Sequence, residues 1–273
     1  MRWIVYTLFL LLTLPTAGIA RERLAIPSGD REPANLTAWL EKPVGTGPFA
    51  AVVLLHGCGG MYTRTGEIND RHLQWEKALI TEGYAVLHLD SFGSRGIRQI
   101  CTVKERIIRA SGDRRLDAYA ALSYLRTRPE IDPARIALMG WSNGGSTLMA
   151  AMERDKRTPT PSFKAAVAFY PGCRPNVRRS YDPEGPLLML HGADDDWTPP
   201  ARCQEMVAAL RAKGTVIEAV EYPGAYHDFD WPGHPLRVRQ GVRTDSGTAK
   251  AGTNEPARLD ALSRVPTFLR RHL

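Results

Sequence analysis

The stretch that most restricts the fold is Ile136-Ala137-Leu138-Met139-Gly140-Trp141-Ser142-Asn143-Gly144-Gly145-Ser146, an apolar run that ends in Gly-x-Ser-x-Gly and continues into a helix-like segment. It reads as a buried strand, a tight turn and a helix, with the serine hydroxyl pushed out at the turn. Gly140 and Gly144 suit that reading, because a residue without Cβ lets the strand end and the first helical turn approach each other closely. Gly and Ser are common, so the pattern acquires weight only from what the rest of the chain brings beside Ser142.

The first twenty residues stand apart. Arg2 is followed by a nearly unbroken apolar run to Leu14, then Pro15, then Ala17-Gly18-Ile19-Ala20 ahead of the charged pair Arg21-Glu22. This is the layout of a secretory signal peptide cut after Ala20. The apolar run falls short of the roughly 20 residues that a membrane span needs, so no stable anchor is expected after cleavage. The whole chain carries a net charge of +7, but no helix-turn-helix, zinc-finger or RNA-binding pattern organises it, which argues against a nucleic-acid partner. Cys58, Cys101, Cys173 and Cys203 all lie in the exported part. Export permits disulfides, and no Cys-x-x-Cys or His-rich spacing calls for a metal.

Residues 21–48 are polar and rich in Pro and Gly, except for 35–40, which alternate enough for an edge strand. From residue 49 onward, apolar runs of four to eight residues alternate with segments of helical period. Strands are expected at 51–55, 84–89, 136–139, 163–170, 186–190 and 216–222. Helices are expected around Trp75-Ala78-Leu79, over 113–128, from the Ser142 turn to about 153, around Cys203-Met206-Val207-Leu210, and over 257–273, with Pro266 starting the last turns. Residues 233–256 read as a surface excursion. Strands alternating with helices predict an α/β fold, a mainly parallel sheet covered on both faces, and one domain over 21–273.

In such sheets, sites form at the carboxyl ends of the strands. The strand ending at Leu190 is followed by His191-Gly192-Ala193-Asp194-Asp195-Asp196-Trp197-Thr198-Pro199, and the strand ending at Tyr222 by Pro223-Gly224-Ala225-Tyr226-His227-Asp228-Phe229. Serine, then aspartate, then histidine is the chain order of α/β-hydrolases. A serine hydroxyl needs a base to take its proton, and an imidazole titrating near neutrality does this. His56, His72, His88, His191, His234 and His272 are the competitors of His227, but none follows the last strand as directly as His227 does, and His56 and His191 are better suited to bracing turns. The backbone N–H of Asn143, the residue after the serine, and that of Cys58, in the Gly-rich loop after the first long strand, are the expected oxyanion donors. Cys58 as a nucleophile in its own right lacks a neighbouring base. From the loops they occupy, Cys173 and Cys203 form the expected bridge, with Cys58 and Cys101 as the second candidate pair.

These motifs make the chain resemble the dienelactone hydrolase family of the α/β-hydrolase superfamily from about residue 49 to the C-terminus. The resemblance rests on His56-Gly57-Cys58-Gly59-Gly60, Gly140-Trp141-Ser142-Asn143-Gly144-Gly145, Asp195 followed by Trp197-Thr198-Pro199, and His227-Asp228-Phe229. It implies a catalytic triad of Ser142, Asp195 and His227, Asp195 being selected from three consecutive aspartates by the family's spacing of acid to proline. The founding members carry cysteine where this chain has Ser142, which implies ordinary esters as substrates. They also grip a substrate carboxylate with two arginines. Arg95 lies near the first of those positions, and Trp231, four residues after His227, occupies the region of the second. Trp197 and Trp231 are expected to wall an acyl or aromatic pocket.

Arg64, Arg95, Arg98, Arg174, Arg178 and Arg179 crowd the same loops with few acids among them, which reads either as a rim favouring anionic esters or as plain surface basicity. The expectation is an exported serine hydrolase, periplasmic or secreted, acting on a small-molecule carboxylic ester through an acyl-enzyme and without a cofactor. The alternatives are a peptidase or acyltransferase on the same scaffold, or a catalytically silent binding protein.

Overall fold

The structure, a computed structural model, describes residues 21–29, 34–154, 162–178 and 180–273; the expected signal peptide at 1–20 lies outside them. The eight strands of the main sheet are β1 (Glu22–Pro27), β2 (Asn35–Glu41), β3 (Phe49–Leu55), β4 (Ala85–Leu89), β5 (Ile131–Trp141), β6 (Ala165–Phe169), β7 (Leu187–Gly192) and β8 (Ile217–Tyr222). They run in the spatial order β1-β2-β4-β3-β5-β6-β7-β8. Every neighbouring pair is parallel except those made by β2, which is antiparallel to both β1 and β4. The helices are α1 (Asp70–Thr81), α2 (Asp113–Arg126), α3 (Asn143–Met152), α4 (Arg174–Arg178), α5 (Ala201–Ala212) and α6 (Glu255–His272).

A strand buried on both faces must be apolar at every position, and β3 is. Ala51, Val53 and Leu55 belong to the layer that holds Leu122 and Leu125 of α2, Leu148 of α3 and Met206 of α5. Val52 and Leu54 face the other way, onto Trp75 and Leu79 of α1 and Val265 and Phe268 of α6. Each large side chain withdrawn into these layers contributes roughly 1.5–3 kcal/mol. The winding reverses between β3 and β5, since β4 lies to one side of β3 and β5 to the other. The crevice beyond the strand ends at such a reversal is where doubly wound sheets place their sites. Here it lies between the loop after Leu55 and the turn at Ser142.

Two expectations need correction and a third gains detail. Residues 35–40 form an inner strand, because β1 covers them at the edge. Only Leu24 and Ile26 of β1 turn inward, too sparse an alternation to stand out in a polar stretch, and its Pro27 is tolerated at an edge. The excursion at 233–256 contains a hairpin, β9 (Arg237–Gln240) with β10 (Thr248–Ala251). It is anchored by a bond from the Gly252 N–H to the His227 carbonyl (2.9 Å) and one from the Lys250 N–H to Asp196 Oδ1 (2.7 Å). Finally, α6 runs unbroken through Pro266. Val265, Phe268 and Leu269 are buried beside it, and their packing outweighs the lost intrahelical hydrogen bond.

Both cysteine pairs are bridged, Cys173–Cys203 and Cys58–Cys101. The second ties the Gly-rich loop after β3 to the long loop after β4.

Candidate active site

Ser142 sits between the last residue of β5 and the first of α3 with φ 52° and ψ −112°. A non-glycine residue in that region costs about 1–3 kcal/mol and persists only where its surroundings dictate it. Here a Cβ on Gly144 would fall 2.0 Å from the Leu55 carbonyl oxygen, and one on Gly140 would fall 2.6 Å from the Gly144 carbonyl oxygen. The Ser142 N–H donates to the Phe169 carbonyl (2.9 Å), which pins the turn to β6 as well. Asn143 is the first residue of α3, so its N–H is one of the helix-start donors without an intrahelical acceptor.

The acid arrives on the loop after β7. Asp195 Oδ1 accepts the N–H groups of Trp197 and Thr198, both at 2.9 Å, and Oδ2 accepts from His227 Nδ1 at 2.8 Å. Burial by itself would raise the Asp195 carboxyl, but His227 and these hydrogen bonds outweigh it and hold the group below the usual aspartate range. Asp194 and Asp196 are exposed, with Asp196 spent on the hairpin.

His227 is enclosed, its ring 4.7 Å from that of Trp197 and 4.5 Å from that of Tyr170. Burial pulls its pKa down, the Asp195 carboxylate pushes it up more strongly, and the net result is above the ordinary value of 6.5.

Ser142, His227, Cys58, Trp197 and Trp231 line one cleft. Arg95 does not join them. Its guanidinium lies across Asp117 of α2 (2.8 and 2.9 Å) and reaches the Ser91 carbonyl (2.6 Å), since the carboxylate offered by α2 outcompetes a solvent-facing position. His56 and His191 brace turns: His56 Nε2 accepts the Ser91 N–H (3.2 Å), and His191 Nε2 lies 2.6 Å from the Thr198 carbonyl. Of the arginine-rich rim, Arg179 and the side chain of Arg178 lie outside the described residues.

Beneath the cleft lies a network that sequence reading missed. Arg71, near the start of α1, donates through Nη1 to Asp228 Oδ1 (2.7 Å) and to the Tyr170 hydroxyl (2.9 Å). Tyr170 in turn donates to Asp230 Oδ1 (2.6 Å), while the indole N–H groups of Trp75 and Trp141 both reach Asp230 Oδ2 at 2.8 Å. The Arg71 guanidinium also stacks 4.4 Å over the Trp231 ring. Trp141 thus stands before Ser142 with its N–H committed to this network. The sole trace in the sequence was the pair of acids flanking Phe229.

An eight-stranded, mainly parallel sheet with helices on both faces and a strained serine turn after a central strand defines the chain as an α/β-hydrolase. The model of the dienelactone hydrolase family matches residues 36–273, and the chain belongs to that family. An uncharacterized peptidase of Bacillus subtilis is 25% identical over a 236-residue alignment that covers 73% of this chain and 34% of that protein, so the chain spans about a third of that relative. Among solved structures, a dienelactone hydrolase-like promiscuous phosphotriesterase from metagenomic libraries superposes with a TM-score of 0.67 at 19% identity, covering 93% of this chain and 98% of that one. A thermophilic esterase of Thermogutta terrifontis gives 0.63 at 17% identity, covering 92% and 94%.

Proposed function

We propose that the protein is an exported serine hydrolase that cleaves carboxylic esters through an acyl-enzyme. The observation that carries this reading is Ser142 on its strained turn, in one cleft with an imidazole whose far nitrogen is held by a buried carboxylate. Ser142 Oγ attacks the ester carbonyl as His227 Nε2 takes its proton. The tetrahedral oxyanion is received by the N–H groups of Asn143, at the start of α3, and of Cys58, in the loop after β3. His227 then protonates the departing alkoxide, and a water activated by the same nitrogen releases the acid. Throughout, Asp195 fixes the Nδ1–H tautomer and stabilises the imidazolium as it forms. Residues 1–20 serve as the cleaved export signal, and the two disulfides suit an oxidising compartment.

A fluorophosphonate probe tests this reading. It should label the wild-type protein but not Ser142→Ala, and a folded wild-type protein that resists labelling would defeat the proposal. The Bacillus relative's description as a peptidase favours one second reading. Turnover of p-nitroanilides at rates matching p-nitrophenyl esters of the same acyl group would prefer it.

Because catalysis needs neutral His227 and its pKa is raised, kcat/KM should fall on the acid side with a midpoint above 6.5. A pH profile flat down to pH 6 would contradict this assignment.

Two arginines line the cleft. Arg71 is tied to Asp228, whereas Arg239 on the hairpin has no carboxylate partner among the described residues. That leaves the cleft with an open positive charge, which supports an anionic ester as substrate. At low salt, p-nitrophenyl hemisuccinate should exceed a neutral p-nitrophenyl ester in kcat/KM by about three- to tenfold. Arg239→Gln or 0.5 M NaCl should erase the difference. Equal values for the two esters, unmoved by salt, would restore the reading of plain surface basicity.

A further inference from the structure

Arg114, near the start of α2, is fully buried and has no carboxylate in contact among the described residues. Its Nη1 donates to Asn143 Oδ1 (2.6 Å) and its Nη2 to the His56 carbonyl (2.8 Å), while Nε has no acceptor. The acids that face it are committed elsewhere: Asp117 to Arg95, and Asp90 to the N–H groups of Phe92 and Gly93. The other charged groups around it, Arg95 and Arg106, are also positive. A buried guanidinium without a carboxylate in direct contact is expensive, and such groups are ordinarily paired.

The two acceptors explain the placement. Asn143 carries one expected oxyanion donor, and His56 opens the loop that carries the other, at Cys58. The His56 carbonyl also presses on α3, since a Cβ on Gly144 would lie 2.6 Å from its oxygen. The end of β3 and the first turn of α3 therefore meet at one point, and the guanidinium bridges them there.

We infer that Arg114 is a positioning residue for the oxyanion hole: it clamps the two segments that present the Asn143 and Cys58 N–H groups and keeps behind them a guanidinium that no carboxylate contacts among the described residues. The inference rests on the serine-hydrolase reading. A preset cation near the developing oxyanion stabilises the transition state more than the neutral ester, so it acts on kcat rather than on KM. Burial draws the Arg114 pKa down to about 10, which leaves it charged at neutral pH.

The test compares wild type, Arg114→Met, Arg114→Lys and Asn143→Ala on p-nitrophenyl acetate, with phenylboronic acid as a tetrahedral analogue. Thermal melts verify folding, and a fluorophosphonate probe checks Ser142. Arg114→Met should lose about 30- to 300-fold in kcat with KM within about threefold, and the boronate Ki should rise in parallel. Asn143→Ala keeps the backbone donor but removes one anchor, and should lose about tenfold in kcat. Arg114→Lys should recover most of the kcat at pH 7. It should then lose that activity as pH rises to 9, because a buried lysine without a counter-ion deprotonates below its usual range, whereas wild type holds. A merely structural arginine would show no such alkaline limb.

Unchanged kcat in a folded Arg114→Met, or equal pH-independent losses in the Met and Lys variants, overturns the inference while labelling of the wild type leaves the serine-hydrolase reading intact. A wild type that neither labels nor hydrolyses the ester sinks both.

Discussion

Ser142→Ala is expected to lower ester hydrolysis about 10⁴-fold or more, leaving the residual rate that oxyanion donors and substrate binding supply without a nucleophile. The melting temperature should stay within about 1 °C, because alanine keeps the Cβ and the same strained backbone. Ser142→Gly separates the two roles of the position. It is equally inactive, but glycine occupies φ 52° without penalty, so it should gain about 1 kcal/mol and 2–4 °C in Tm. A fluorophosphonate gel and a melting scan on the three proteins decide both points. Retention of more than a hundredth of wild-type turnover by Ser142→Ala would move the nucleophile elsewhere, and a Ser142→Gly no more stable than wild type would mean that the turn stores no strain.

What could be read from the chain was whatever is encoded next to itself. The strands of the parallel sheet announce themselves because burial on two faces forces continuous apolar runs. The loops after them stand out because each closes on Gly with His, Asp or Ser beside it. Ser142 and His227 were placed in this way and Asp195 by the spacing of acid to proline that the family resemblance implies, and the structure brings the three to one edge of the sheet.

What escaped depends on partners distant in sequence. Arg95 looked like a cleft residue because it lies near a position where the family resemblance implies a substrate-gripping arginine, but Asp117, 22 residues later, turns it inward. Arg71 and Asp230 are separated by 159 positions, and nothing local to either marks them before α1 and the loop after β8 close over Tyr170. Pro266 carries the local mark of a helix start, yet the apolar layer around Phe268 decides its place. Arg114 is the sharpest case. Among the charges opening α2 it resembles Arg115, and only the meeting of β3 with α3 shows which of the two is enclosed.

Asp230→Ala is the substitution with the largest expected effect on stability. One buried carboxylate accepts two indole N–H groups and a phenol, so its removal orphans Trp75, Trp141 and Tyr170 together and leaves a void among them. Each stranded donor costs about 1–3 kcal/mol, with the contributions less than additive because the three share one acceptor. A loss of about 3–5 kcal/mol follows, or about 10 °C in Tm for a domain of this size. The cause is the loss of acceptors rather than of an ion pair, since Arg71 keeps Asp228. Burial raises the Asp230 carboxyl above the usual aspartate range, so desolvation offsets part of what the charge adds to its three hydrogen bonds. Asp230→Asn, which retains one oxygen toward the indoles, should accordingly cost only about 1–2 kcal/mol. The damage should also reach the cleft, because Trp141 adjoins Ser142 and the Tyr170 ring packs 4.5 Å from His227. Urea unfolding of both variants at pH 7, read beside the rate of fluorophosphonate labelling, discriminates the causes. If Asn proved as harmful as Ala, the charge and not the acceptor geometry would hold the network together. A loss below 1 kcal/mol in Asp230→Ala would show that the tryptophans and Tyr170 find other acceptors.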